Sequence, residues 1–394
     1  MPCSLAERLL ERTDIRPVLL RFDDLIHKTP PAWARATEAL PAFVLRMGEP
    51  LADEAERFTA FCAERDLAPR HLCCWTEPRQ AEAQGLARRA GLPALSAQQV
   101  AWVRDKAAMK TRLAELGFRV APFTEVGARE DVAAFAGRHG WPVIVKPVDA
   151  WGCMDTVRLD DPAALAAHAL PPRRMLVERW IDDREYGLCA LIAGGEVLDC
   201  WPTAYPAPPL AAAAGDINGN ISLRRRDWPA VDLHRVAQQL ADGLALERGY
   251  LHAELFAGPG GEVTISEVAL RLPGGKLADN HAHAHGIDLM GATLDVYVGR
   301  RPALAPTRDR CVGDLLLPVR PGRVVRVTPV ERLSAQEGVI EVTLGVEPGG
   351  RIPDLGRTSF HCAGYAHVEG EDEAEVEARM RALLGAFELE VEPL

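Results

Sequence analysis

Apolar runs and amphipathic stretches alternate through the first hundred residues. RPVLLRF (16–22) and AFVLRMG (42–48) predict buried strands. DEAERFTAFCAERDL (53–67) has apolar residues at helical spacing, and HLCCW (71–75) follows as another predicted strand, with Cys73 and Cys74 in the core. QAEAQGLARRAGLP (80–93) predicts a helix closed by Gly91 and Pro93. Strand–helix alternation of this kind predicts an open α/β layer. It carries no GxGxxG, and so no dinucleotide fingerprint.

The pattern then strengthens. RDKAAMKTRLAELGFRV (104–120) predicts a helix with residues 109, 113 and 116 on one face, ended by Gly117 and followed by Pro122. REDVAAFAGRHGW (129–141) predicts the next helix, and VIVKPV (143–148) a short apolar strand interrupted by a lysine. RMLVERWI (174–181) and YGLCALIAGGEVLDCW (186–201) predict strands, the second a hairpin turning at Gly194-Gly195. Residues 202–229 are rich in Pro, Ala, Gly and Asn without periodicity, which predicts a long loop, either a functional lid or disordered. HAELFAGPGGEVTISEVALR (252–271) predicts a second hairpin. Residues 275–298 predict helix, with Gly286 and Gly291 as interruptions. After 306 a β-rich segment leads to an acidic helix (371–385) and a short strand. The expected class is α/β (α+β), in three parts: 1–103, 104–306 and 307–394.

Composition narrows this picture. The 394 residues are 48% hydrophobic and 26% charged, enough for a large core without disulfides. A net charge of -11 argues against a nucleic-acid or acidic-membrane partner. Nine scattered cysteines without CxxC or zinc-like spacing suggest reduced thiols. Charges from Glu7 to Asp14 interrupt any signal-like pattern, and no apolar run approaches the roughly 20 residues that span a bilayer. A cytoplasmic enzyme is the expectation.

Candidate chemistry lies in a few positions. Lys146 stands inside an apolar strand, where a charge is costly unless it meets solvent or a counter-charge. It is either an edge lysine whose stem snorkels or, with the turn DAWGCMDT (149–156) after it, a phosphate-binding cation. In the second hairpin, pairing Ala257 with Glu262 sets Glu254 opposite Ile265. Glu267 is then a diagonal neighbour on the same face, roughly 7–8 Å away at the backbone. Two such carboxylates can share a divalent cation, or simply be solvated. Arg271 before LPGGK (272–276) is a carboxylate or phosphate clamp, or an ordinary turn arginine. His281, His283 and His285 would share a face on a strand, but on a helix only His281 and His285 align. A substrate-facing histidine fits better there than a metal site, and a solvated helix better still. The basic run LRRRDW (223–228) is a phosphate-facing lid or a solvated loop, and Trp151, Trp180 and Trp201 are packing residues.

Taken in order, these segments resemble the ATP-grasp superfamily, particularly its carboxylate–amine ligases, among them the L-amino acid ligases. GLPALSAQQVAWVRDKAAMKTRLAELGF is similar to the family's approach to its first ATP-contacting lysine, implying Lys106; VIVKPV implies Lys146 as the second. LVERWIDDREY resembles the nucleotide hinge, implying Glu178, Arg179, Trp180 and Ile181 around adenine and Glu185 on the ribose. LHAELF and ISEVALRLPGG resemble the paired magnesium strands, implying Glu254 and Glu267, with Arg271 on the acyl-phosphate and Gly274, Gly275 and His281 beside the substrate. Where the family often has Asn, two residues after the second glutamate, this chain has Ala269. The loop after Lys146 is bulkier than usual, with Trp151, Met154 and Asp155. The resemblance implies an N-terminal open α/β domain, a two-sheet nucleotide-binding region and a C-terminal β-rich segment. It implies ATP and Mg²⁺ as cofactors, small carboxylate and amine substrates of amino-acid type, and a homodimer. It leaves open a bicarbonate-activating carboxylase, a carboxylate–thiol ligase and a non-catalytic ATP-binding protein.

Overall fold

In the computed structural model, which describes residues 8–28, 31–272, 275–353 and 361–394, four sheets organise the chain. The largest has eight antiparallel strands, in the order Val263–Ala269, Arg248–Ala257, Arg184–Ala193, Glu196–Ala204, Gly219–Ser222, Cys311–Leu317, Gly364–Gly370 and Val339–Leu344. It crosses residue 306 without a break. A four-stranded antiparallel sheet runs Phe123–Val126, Met175–Arg179, Val143–Pro147, Val157–Leu159. A small three-stranded sheet joins Arg351–Ile352, Gly322–Val327 and Leu389–Glu392. This mixed α/β architecture is the expected class.

The strong periodic segments fold as their patterns predict. Gly194 and Gly195 turn the first hairpin at φ +62° and +79°, a conformation that a Cβ would strain. The helix Lys106–Glu115 starts at Asp105, whose carboxylate accepts from the amides of Ala107 and Ala108, both at 3.0 Å. Met109 and Leu113 bury its apolar face against Val268 and Leu240 of the main core. This helix touches both the large sheet, at Val263–Ala269, and the four-stranded sheet, at Phe123–Val126. Residues 275–298 form two helices, Leu277–His285 and Leu289–Tyr297; Gly286 separates them, whereas Gly291 lies inside the second.

Three expectations are corrected. Residues 71–75 are not a strand: they run alongside a cavity of about 740 Å³, and Cys73 is exposed while Cys74 is buried. The N-terminal layer is therefore built on two parallel strands, Leu19–Phe22 and Ala42–Leu45. Residues 202–229 are neither a lid nor disordered, because Gly219–Ser222 is an internal strand of the large sheet and Ile217, Ile221 and Leu223 are core residues. The arginines of LRRRDW pair with local acids, Arg224 with Glu371 at 3.2 Å and Arg225 with Asp199 at 3.3 Å. No helix of the described residues is long and apolar enough to cross a membrane.

Candidate active site

One face of the large sheet carries the second-hairpin carboxylates, but not in the simple register. A bulge leaves Ser266 unpaired, so Leu255 opposes Ile265 while Glu254 directly opposes Glu267. Directly opposed residues hold their Cβ atoms about 4.5–5.5 Å apart, nearer than the diagonal arrangement expected. The next strand sets Gly187 opposite Glu254, which puts Glu185 on the same face one step along. Gly187 is required by crowding: a Cβ there would come within 2.6 Å of the Thr203 hydroxyl and 3.3 Å of His252 Nε2. His252 opposes Ala269, and burial, then Arg271, lower its pKa to about 3, so its imidazole is neutral.

The helix Lys106–Glu115 sends one lysine to each sheet. Lys106 Nζ lies 3.0 Å from Glu267 Oε1 and donates to the Ala150 carbonyl at 2.6 Å. Four residues on, the buried Lys110 Nζ lies 2.8 Å from Glu178 Oε2 on the four-stranded sheet. Lys146, on the neighbouring strand, reaches the other oxygen of Glu178 at 2.5 Å. Burial opposes ionising Glu178, but Lys110 and Lys146 outweigh it and hold its pKa near 2. Burial alone would discharge Lys146; Glu178 and then Glu267 keep it firmly protonated. Lys110, more deeply buried, has its pKa lowered by desolvation.

The carboxylate pair is less well compensated. Burial and Glu267 push the Glu254 pKa up to about 7, while burial and Glu254 push Glu185 up to about 8. Glu267 goes the other way: burial is outweighed by Lys106 and Lys146, and its pKa falls. Glu254 and Glu267, opposed on one face, are oxygen donors of the kind a hard divalent cation takes.

Arg271 ends this face. Its guanidinium is ion-paired to Glu77, and its Nη1 donates to the Leu272 carbonyl at 3.1 Å. Glu77 also pairs with Arg104, so one N-terminal carboxylate holds two arginines. Glu77, Lys110 and His252 escaped the sequence reading. Only Lys110 carried a signal there, its spacing of four from Lys106 on one helical face.

The other expected residues are more dispersed. The Arg179 side chain is exposed on the strand end after Glu178. Trp180 lies under the Arg158 guanidinium at 4.4 Å and donates from Nε1 to Asp182 at 2.5 Å; Ile181 is half-buried beside it. Gly275, at φ +73°, packs against Asp314, and Gly274 lies outside the described residues. His281 is buried rather than solvated, 5.5 Å ring to ring from Trp201, whose strand continues to Thr203 on the carboxylate face.

Comparison with known proteins agrees with this geometry. Residues 315–392 match the family model described as L-amino acid ligase C-terminal domain 2. The L-arginine-specific L-amino acid ligase of Bacillus subtilis is 28% identical over 286 residues, 70% of this chain and 69% of the relative. The crystal structure of the L-amino acid ligase from Bacillus licheniformis superposes with a TM-score of 0.74 at 19% identity, covering 99% of this chain and 95% of that one. The chain is thus a homologue of the L-amino acid ligases and shares their fold. A D-alanine–D-alanine ligase of Streptomyces coelicolor is 33% identical over 118 residues, 26% of this chain and 30% of that relative. Each of these relatives is named as an amino-acid ligase.

Proposed function

We propose that the chain joins the carboxylate of one amino acid to the amine of another, with ATP converted to ADP and phosphate. The observation that carries this reading is the convergence between the two sheets of two opposed carboxylates, two lysines and a half-buried arginine, in a chain related to the L-amino acid ligases. A carboxylate oxygen of the first amino acid attacks the γ-phosphorus, the bond to the β-phosphate oxygen breaks, and an acyl-phosphate and ADP result. The amine of the second then attacks the acyl carbon, loses a proton, and expels phosphate. Both steps need close positioning and charge neutralisation more than covalent help from the protein.

In this reading Lys106 and Lys146 hold phosphate oxygens, and Glu178 orients Lys146 against Lys110 rather than meeting adenine through its carboxylate. The segment Arg179–Ile181 borders the adenine, and Glu185 faces the ribose. Glu254 and Glu267 would hold Mg²⁺, which when bound offsets the negative charge of the phosphates. Arg271, fixed by Glu77, stabilises charge on the transferring phosphoryl group. Gly275 and His281 border the amino-acid pocket.

Phosphate release from Mg-ATP, measured across a matrix of amino-acid pairs with and without bicarbonate, tests the reading. Release that requires two amino acids and accompanies dipeptide formation supports it. Release that requires bicarbonate, or turnover of a thiol in place of an amine, would replace it with another ATP-grasp chemistry.

A further inference from the structure

A second cluster of ligand-type side chains lies away from the carboxylate face. Glu341 and His367 are direct cross-strand partners on the edge strand Val339–Leu344 and its neighbour Gly364–Gly370. His283 reaches them from the helix Leu277–His285. Two residues from both His281 and His285, it projects from the opposite side of that helix. One donor atom from each of His283, Glu341 and His367 lies within 4.8 Å of the others. His283 Nε2 is 3.8 Å from Glu341 Oε2, and the two imidazole rings are 4.8 Å apart, centre to centre.

His367 makes the cluster unusual. Its ring hydrogen-bonds the main chain of Lys276, yet its Nε2 is buried without any hydrogen-bond partner. A buried nitrogen left in that state is unfavourable. One nitrogen fixed on main chain and the other open is how metal-ligating histidines are commonly held. The adjacent Glu341 and His283 bring the further donors. Burial, then His283, keep His367 neutral, with its pKa lowered to about 4, so a lone pair is available at neutral pH. A contact of 3.8 Å between His283 and Glu341 is too long for a good hydrogen bond and leaves His367 Nε2 unanswered.

We propose that His283, Glu341 and His367 bind a divalent transition metal of the zinc class, which clasps the helix Leu277–His285 to the C-terminal strands. Two imidazoles and one carboxylate select zinc or cobalt(II) over magnesium, which prefers oxygen alone. Tetrahedral zinc keeps its ligand atoms roughly 3.3 Å apart, so the cluster closes by about 1.5 Å, within reach of the exposed Glu341 side chain. The clasp lies beside Lys276, and so would fix the turn at Gly275 and Lys276 on the sheet.

The test uses full-length protein stripped with chelator and returned to millimolar magnesium, which fills oxygen sites. Cobalt(II) is titrated while visible absorption is recorded, and zinc is then added. The first equivalent of cobalt gives the intense bands of a low-coordinate nitrogen–oxygen site, and zinc displaces it. Saturating zinc raises the melting temperature by roughly 3–5 °C. Both effects are lost in His283→Ala and in Glu341→Gln, whose melting temperatures without zinc show that they fold. Absence of the bands in the unmodified protein, or their retention in either variant, overturns the site.

Discussion

Two groups of buried charge face each other across the site, and they are built differently. On the four-stranded sheet, Glu178 is shared by Lys110 and Lys146, each within 2.8 Å, and its carboxylate is held ionised. On the eight-stranded sheet, Glu254 opposes Glu267 with Glu185 beside them, and Glu254 and Glu185 are driven toward the protonated form. The first group is a frame, its opposite charges paired within the chain against the cost of burying them. The second is a responsive group, in which burial and then a neighbouring carboxylate oppose ionisation of Glu254 and Glu185.

Removing the frame has the largest expected effect. Glu178→Ala leaves two cations in a dry interior with one carboxylate fewer. Breaking a buried pair in this way costs about 3–5 kcal/mol, read as a lowered midpoint in urea unfolding. If the loss is under about 1 kcal/mol, the frame is not structural. The responsive group should behave in the opposite way. Glu254→Gln, at the carboxylate that burial and Glu267 drive toward the protonated form, keeps the fold near its original midpoint but lowers ligation kcat/KM by roughly 10²–10³-fold, about 3–4 kcal/mol of transition-state stabilisation. A variant that loses stability and keeps turnover would exchange the roles of the two groups.

Proton linkage sharpens the same contrast. The Glu178 pKa is depressed, so its contribution is fully present above about pH 4.5 and is lost as pH falls toward 2. The Glu254 pKa is raised, so its contribution is fully present below about 4.5 and is lost as pH rises through about 7. The buried histidines titrate with the opposite sign, so the readout is a difference: in chelator the melting temperature of the unmodified protein should fall relative to that of Glu254→Gln by roughly 2–4 °C between pH 5 and pH 8. Magnesium should remove that difference. No difference between the two proteins across this range would assign the proton linkage to other groups.

How much of this was legible follows the physics of each segment. The hairpin turning at Gly194-Gly195 was readable because two apolar runs, buried almost without interruption, flank a Gly-Gly turn. That Glu254 and Glu267 share a face was readable, but their direct opposition was not. It depends on the bulge at Ser266, and nothing local in GEVTISEVA marks which residue drops out of the ladder. Residues 202–229 read as a lid or as disorder because Gly219–Ser222 is only four residues long, too short to declare a period. It is a strand because Thr203–Ala204 and Leu315–Val312 flank it. HLCCW has strand composition, yet composition does not supply a ladder partner. The family resemblance located the lysines and carboxylates; it could not locate Glu77, whose importance exists only once the chain is folded.

Glu77 gives the smallest expected effect and the finest distinction. It belongs to the N-terminal layer, yet its carboxylate holds Arg271 at the end of the carboxylate face and Arg104 just before the lysine-bearing helix. It touches no proposed substrate group directly, so it acts by positioning. Glu77→Gln keeps the shape and one acceptor but removes the charge. Arg271 then loses its closest counter-charge, and its guanidinium is freer to turn toward Glu254 and Glu267, the next acids that act on it. The expected result is roughly a 10-fold fall in kcat, about 1.4 kcal/mol, with the KM for ATP nearly unchanged, since the lysines and carboxylates are untouched. A rise in that KM with kcat preserved would mean that Glu77 serves ground-state nucleotide binding through Arg104 instead. An equal fall in Arg104→Ala would move the coupling to that arginine, and no fall in either would detach the N-terminal layer from the chemistry.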